Sequence, residues 1–304
     1  AREWMEGMRT FLFDIDGVIH NGGTEIPGAA RALAALRGSG RQVLFLTNNA
    51  TKTPEDVVAL FASFGAEATP DEVMTSAVAA ADYLRAAGQE GRLVGKQVYV
   101  VGMRALQNIV ASVGDELGTF STFGGEDDAP KGRADVVQEF NPSLSPPPED
   151  VGAVVVGADY NFNYYKLARA ANYLRSNPQC LYVATNPDPR ALLCPGVLVP
   201  AAGSMVAAIS AASGREPDIV CGKPSASLAR HILQRRGLNP ESTCMVGDRL
   251  DTDIAFGHAG GMHTLLVESG SMTLEETASE MAALDPALRP HFVSDSVAVV
   301  TSLL

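Results

Sequence analysis

The sequence predicts an α/β protein, a parallel sheet covered on both faces by helices with a second α/β unit inserted into it. Strand-type and helix-type signals alternate through the first third of the chain, the pattern of parallel strands joined by helical crossovers. A loop-rich section interrupts that alternation, and it returns near residue 200. Length agrees: 304 residues exceed one typical core. The expected division is a catalytic core from 1–90 with 200–304, and an inserted unit over 91–199.

The elements follow in order. Thr10–Phe13 is an apolar run of strand type, and Pro27–Arg37 is an Ala/Leu-rich helix stopped by Gly38-Ser39-Gly40. Gln42–Leu46 is a second strand. Thr53-Pro54-Glu55-Asp56 opens a helix, with an N-cap residue, Pro at the first position and acids in the first turn; Gly65 ends it. A third helix covers Ser76–Ala87. Beyond Gly88, Gln97–Val101, Val151–Val156 and Leu181–Thr185 read as strands and Tyr164–Arg175 as a helix. Between them, Ser121 to Asp150, with Gly124-Gly125 and Pro146-Pro147-Pro148, reads as solvated loop. The first pattern then resumes, with helices at Ser204–Ala212 and Ser225–Arg236 and strands at Ile219–Cys221, Cys244–Val246 and His263–Val267.

Composition narrows the function. The charged fraction is 19% and the formal net charge −12, which argues against nucleic-acid or anionic-membrane partners. No apolar run approaches the roughly 20 residues of a membrane span. No signal-peptide pattern opens the chain, and the four cysteines form no C-x-x-C pair. A cytoplasmic protein with reduced, buried thiols is the expectation.

Three apolar runs end in polar clusters: Asp14-Ile15-Asp16-Gly17, Thr47-Asn48-Asn49 and Gly247-Asp248, the last continuing to Asp251 and Asp253. Ligands of open parallel sheets sit outside the carboxyl ends of the strands, so these clusters should share one crevice. Lys223, in Gly222-Lys223-Pro224 before a helix, adds a cation where anions are already favoured. Taken singly, each cluster is a turn, a cap or a solvated helix start. Together, so many carboxylates and one lysine cannot hold a phosphate dianion unaided, whereas a hard divalent cation with oxygen ligands can complete the set. Asp14 then serves as nucleophile on phosphorus and the second acid as proton shuttle.

The segments DIDGVI, LTNNATKT, CGKPS and GDRLDTDIAFG resemble the haloacid-dehalogenase superfamily of phosphatases. VGADYNFNYYKLARA and VATNPD resemble its branch with a large α/β cap, which includes phosphoglycolate phosphatase, pyridoxal phosphate phosphatase and the 4-nitrophenylphosphatases. The resemblance implies a Rossmann-like core and an inserted cap domain. It implies Mg²⁺ held by Asp14, the Asp16 backbone carbonyl and Asp248, with Asp253 and Asp251 behind them. Asp14 is then the nucleophile, Asp16 the acid/base and Lys223 the neutralising cation. Thr47 and Asn48 hydrogen-bond the phosphate, with Asn49 in the same loop. Asn186, Asp188 and Arg190 become candidates for substrate contact at the cap boundary, with a plain turn after a strand as the other reading. Two positions depart from the branch: His20, where relatives carry Trp or Tyr, and Pro200-Ala201-Ala202-Gly203. His20 is expected in a solvated loop, with substrate contact as the alternative.

Phosphomonoester hydrolysis is the expected activity, on a small phosphorylated metabolite: 2-phosphoglycolate first, pyridoxal 5′-phosphate next, or a broad set of aryl phosphates. A carbon–halogen or carbon–phosphorus hydrolase would have no use for Asp16 as acid. A phosphotransferase differs only in the acceptor, and a non-catalytic phospho-ligand binder needs no nucleophile. The branch further implies a homodimer through the cap.

Overall fold

Apolar runs at 10–13, 42–47 and 243–247 form the centre of a six-stranded parallel sheet. The computed structural model describes residues 2–141, 150–194, 197–270 and 274–304. Its strands in chain order begin with β1 (Thr10–Phe13), β2 (His20–Asn21), β3 (Thr24–Glu25), β4 (Gln42–Thr47), β5 (Val73–Thr75), β6 (Lys96–Val101), β7 (Phe120–Gly124) and β8 (Val151–Val156). They continue with β9 (Leu181–Ala184), β10 (Arg190–Cys194), β11 (Val197–Pro200), β12 (Ile219–Val220), β13 (Thr243–Gly247), β14 (His263–Val267) and β15 (Phe292–Ser294). The first sheet has the order β15-β14-β13-β1-β4-β5, and the second β12-β9-β8-β6-β7. All pairings within both are parallel. β1 lies between β13 and β4, where the connections diverge to opposite sides, so the crevice outside its carboxyl end is the natural ligand site.

Local chemistry explains the helices that frame this crevice. Thr53 and Asp56 form a reciprocal capping box at the start of Pro54–Ser63. Thr75 caps Ser76–Gln89, and the Ser225 side chain caps Ala226–Arg236, which ends on Gly237 with φ 61°. One apolar cluster joins Leu12, Leu44 and Leu46 of the first sheet to Val98, Val100, Val155 and Val183 of the second by way of Ala77, Ala80 and Leu84. The other face of the first sheet is aromatic: the Phe45 ring meets Phe61 edge-on at 4.9 Å and lies 6.3 Å from Phe13. Phe45→Ala should therefore lower the unfolding free energy by about 3–5 kcal/mol in denaturant titration, and a loss under about 1 kcal/mol would contradict this packing.

The structure departs from the sequence expectations in several places. The second sheet extends past residue 199: β12 pairs with β9, and Met205 and Ile209 of helix Ala202–Ser213 pack with Tyr99, Tyr173 and Tyr182. The chain re-enters the first sheet's surroundings only at Gly222-Lys223. Helix Arg104–Leu117 is not among the expected elements; it packs on β7, where a Cβ on Gly114 would strike the Phe120 carbonyl and ring. The stretch read as loop contains β7 and helix Arg133–Phe140. Arg169 holds that stretch through Asp128 and Glu139, each at 2.8 Å, among the rings of Tyr99, Phe123, Tyr165 and Tyr173. Pro146-Pro147-Pro148 lie outside the described residues. The β10–β11 hairpin, β5, β15 and helix Leu274–Ala283 were also not anticipated. In the segment resembling the capped branch, Asp159 and Lys166 form a fully buried ion pair of 2.6 Å.

Cys180, Cys221 and Cys244 are buried and free, and burial pushes the Cys180 and Cys221 thiols up to about 12. Among the described residues no helix is long and apolar enough to cross a membrane.

Candidate active site

Asp14 follows β1 directly, and its N–H donates to the Val246 carbonyl at 2.8 Å, extending the ladder by one residue. The carboxylate is thereby delivered to the end of the sheet. Gly17 turns the chain at φ 89°, and a Cβ there would collide with the Asp248 carboxylate, so glycine satisfies both the backbone and the close approach. Asp16 projects outward with its side chain 56% exposed. One strand away, Thr47 closes β4 and its hydroxyl lies 3.4 Å from Asp16 Oδ2.

Lys223 organises the interior of the site. Its Nζ donates to Asp14 Oδ1 and Asp253 Oδ1, each at 2.6 Å, and to the Leu46 carbonyl at 3.1 Å. Three donors meet three acceptors, so the buried ammonium is fully satisfied. Burial alone would favour the neutral amine, but Asp14 and Asp253 outweigh it and hold Lys223 charged. The Asp14 carboxyl is pushed upward by burial and by Asp253, Asp248 and Asp16, against the pull of Lys223.

Asp14, Asp248 and Asp253 are buried, and each offers an oxygen within 4.8 Å of the others. Hard oxygen donors in excess of the single lysine charge fit a divalent cation such as Mg²⁺, which would also counter the upward push on Asp14. Asp253 spends its oxygens on Lys223 and on the Arg249 N–H, 3.1 Å away, which suits a supporting position. Asp251 turns to the surface, where it pairs with the Arg249 guanidinium at 2.7 Å.

Several expected contacts differ from the sequence reading. Asn48 has no spare amide donor for a phosphate: Nδ2 donates to Asp188 Oδ2 at 2.7 Å and to the Lys223 carbonyl at 3.0 Å. Asn49 uses its side-chain oxygen to accept from the Thr51 N–H and hydroxyl, fixing the turn. Asn186 is likewise committed, to Thr185 and Asp188, and Asp188 accepts from Asn48, Asn186 and Arg249. Both, read from the sequence as candidates for substrate contact or as a plain turn, bind protein groups. Arg190 lies on the exposed β10 strand. His20 is not solvated. It is 3% exposed, its Nε2 lies 3.8 Å from Asp16 Oδ1, and burial lowers its proton affinity. Arg249, bridging Asp188 and Asp251, was missed; its only sequence signal was its place directly after Asp248.

Residues 11–116 match the haloacid dehalogenase-like hydrolase family model, and residues 220–300 match a second, HAD-hydrolase-like model. Phosphoglycolate phosphatase 2 of Arabidopsis thaliana is 38% identical over 98% of this chain and 95% of its own length. The glycerol-3-phosphate phosphatase of Mus musculus is 39% identical over 95% of this chain and 88% of its own. Among solved structures, a glycerol phosphate phosphatase from Mycobacterium tuberculosis in complex with magnesium aligns with a TM-score of 0.76 and 30% identity, covering 98% of this chain and 77% of that one.

Proposed function

The chain belongs to the haloacid dehalogenase-like hydrolase family and is a phosphatase; from that premise we propose an Mg²⁺-dependent phosphomonoesterase working through an aspartyl-phosphate on Asp14. The observation that carries this reading is Lys223, bonded at 2.6 Å to both Asp14 and Asp253 at the end of β1, with the exposed Asp16 beside them.

In this reading the free oxygen of the Asp14 carboxylate attacks phosphorus. The P–O ester bond breaks, and Asp16 gives its proton to the departing alkoxide. Asp16 then removes a proton from water, which attacks the phosphorus of the acyl phosphate. Inorganic phosphate leaves and Asp14 is restored. Lys223 pulls Asp14 toward its ionised form and aims it, and the Thr47 hydroxyl stands next to the proton shuttle. Asp14, Asp248 and the Asp16 carbonyl would hold Mg²⁺, whose charge offsets that of the phosphate oxygens.

The substrate proposed is a small phosphorylated metabolite, 2-phosphoglycolate first. What supports a small substrate is the close packing of the loop 185–188 on the segment that carries Lys223: a Cβ on Gly222 would meet Asn48, Asn186 and Thr185. Glycerol 3-phosphate is the second reading, favoured by the 39% identity of the murine relative. Phosphate release from 2-phosphoglycolate, glycerol 3-phosphate, pyridoxal 5′-phosphate and 4-nitrophenyl phosphate, with Mg²⁺ or with chelator, tests the proposal. Mg²⁺-dependent kcat/KM at least about tenfold higher for 2-phosphoglycolate than for the others is expected, a difference of about 1.4 kcal/mol in transition-state binding. Turnover undiminished by chelator would refute the metal, and preference for another ester would refute the substrate.

A further inference from the structure

Asp188 lies beyond β9 at the root of the β10–β11 hairpin. Its carbonyl accepts from Gly203 N–H at 2.8 Å, and the neighbouring Pro189 carbonyl accepts from Ala201 N–H at 3.0 Å. Asp188 is 7% exposed, and its carboxylate takes hydrogen bonds from three donors: Asn48 Nδ2 at 2.7 Å, Asn186 Nδ2 at 2.9 Å and Arg249 Nη1 at 2.7 Å. It therefore ties the second sheet to both loops that flank Asp14 in the first.

The bond to Asn48 bears on the chemistry. The Asn48 amide grips the Lys223 peptide at two points: Lys223 N–H donates to Oδ1 at 2.8 Å, and Nδ2 donates to the Lys223 carbonyl at 3.0 Å. An amide has two N–H donors, and Asp188 takes the second. A carboxylate only accepts, so it reinforces the amide orientation that the Lys223 peptide requires and anchors it. Turned over, Asn48 would set its oxygen against the carboxylate and the Lys223 carbonyl and its N–H against the Lys223 N–H, losing all three bonds. The backbone so gripped carries the ammonium that reaches Asp14 and Asp253.

We infer that Asp188 is a positioning residue for phosphoryl transfer, acting through the Asn48 amide to seat Lys223 against Asp14. The inference deepens the proposed function and rests on it. It makes correct placement of Lys223 conditional on the second sheet being docked, since Asp188 belongs to that sheet's loop.

The test is kcat and KM on 4-nitrophenyl phosphate at saturating Mg²⁺ for wild type, Asp188→Ala, Asp188→Asn, Asn48→Ala and the double variant Asn48→Ala/Asp188→Ala, with melting curves alongside. Asp188→Ala should lower kcat about 10- to 100-fold, the effect of a small misplacement of a reacting group, with KM within about threefold. Asp188→Asn keeps an oxygen for Asn48 and should retain more kcat than Asp188→Ala. The double variant should match the slower single variant within about twofold, because both act along one path. Independent losses that multiply, a kcat for Asp188→Ala near wild type, or a rise in KM alone would overturn the inference. If Asp188→Ala melts below the assay temperature, Asn48→Ala decides: a kcat lowered at full folding with KM little changed supports the inference, and wild-type kcat refutes it, since Asp188 is held to act through Asn48. A wild-type protein inactive on every ester would overturn the parent reading and this inference together, whereas an active wild type with indifferent Asp188 variants would overturn the inference alone.

Discussion

Asp14→Asn is expected to reduce phosphate release by at least about 10³-fold at saturating substrate, because the amide cannot form the acyl phosphate. The change is nearly isosteric, so the sheet end and the Gly17 turn should be retained. Folding stability without metal should hold or rise. Asp14 is buried and crowded by Asp253, Asp248 and Asp16, so its charge is opposed by its surroundings, and Lys223 keeps Asp253 as partner. Steady-state kinetics and a melting curve read the two effects separately. Residual activity within about tenfold of wild type would exclude Asp14 as nucleophile.

Lys223→Met should damage both folding and chemistry. The ammonium is 2% exposed and is bonded to two buried carboxylates and the Leu46 carbonyl. Removing one partner of a buried ionic set leaves the others uncompensated, an effect of about 3–5 kcal/mol on stability. Activity should fall at least about 10²-fold, since the charge facing the developing acyl phosphate disappears. Lys223→Arg should not restore activity, because a planar guanidinium cannot place three bonds on one nitrogen as the ammonium does. Denaturant titration and kcat measure these losses. A stable, active Lys223→Met would mean that Lys223 merely neutralises a structural cluster.

The centre of the site was legible because its residues obey a positional rule. Asp14, Thr47 and Asp248 each end a buried strand, and parallel strands bring their carboxyl ends together whatever their separation in sequence. Lys223 was legible from its place before a helix. What the sequence did not disclose was direction. Nothing in LTNN indicates that the Asn48 amide is spent on Lys223 and Asp188, or that Arg249 reaches back to Asp188. Those bonds join segments 175, 140 and 61 residues apart, and only the packing of the fold creates them. Burial of His20 was hidden for the same reason, since it depends on what the β2–β3 turn meets. In the fold, Ile219–Cys221 reads as a strand, but nothing in so short a run says which sheet it joins, and β12 pairs with β9 of the second sheet rather than with the first.

The most direct test of the central claim is a rapid acid quench of the wild-type protein turning over a phosphate-labelled ester with Mg²⁺, followed by peptide mapping. The account predicts a transient, acid-stable phosphoryl label on the peptide that carries Asp14, absent from Asp14→Asn. Full turnover with no labelled peptide at any time, or a label on another residue, would contradict it.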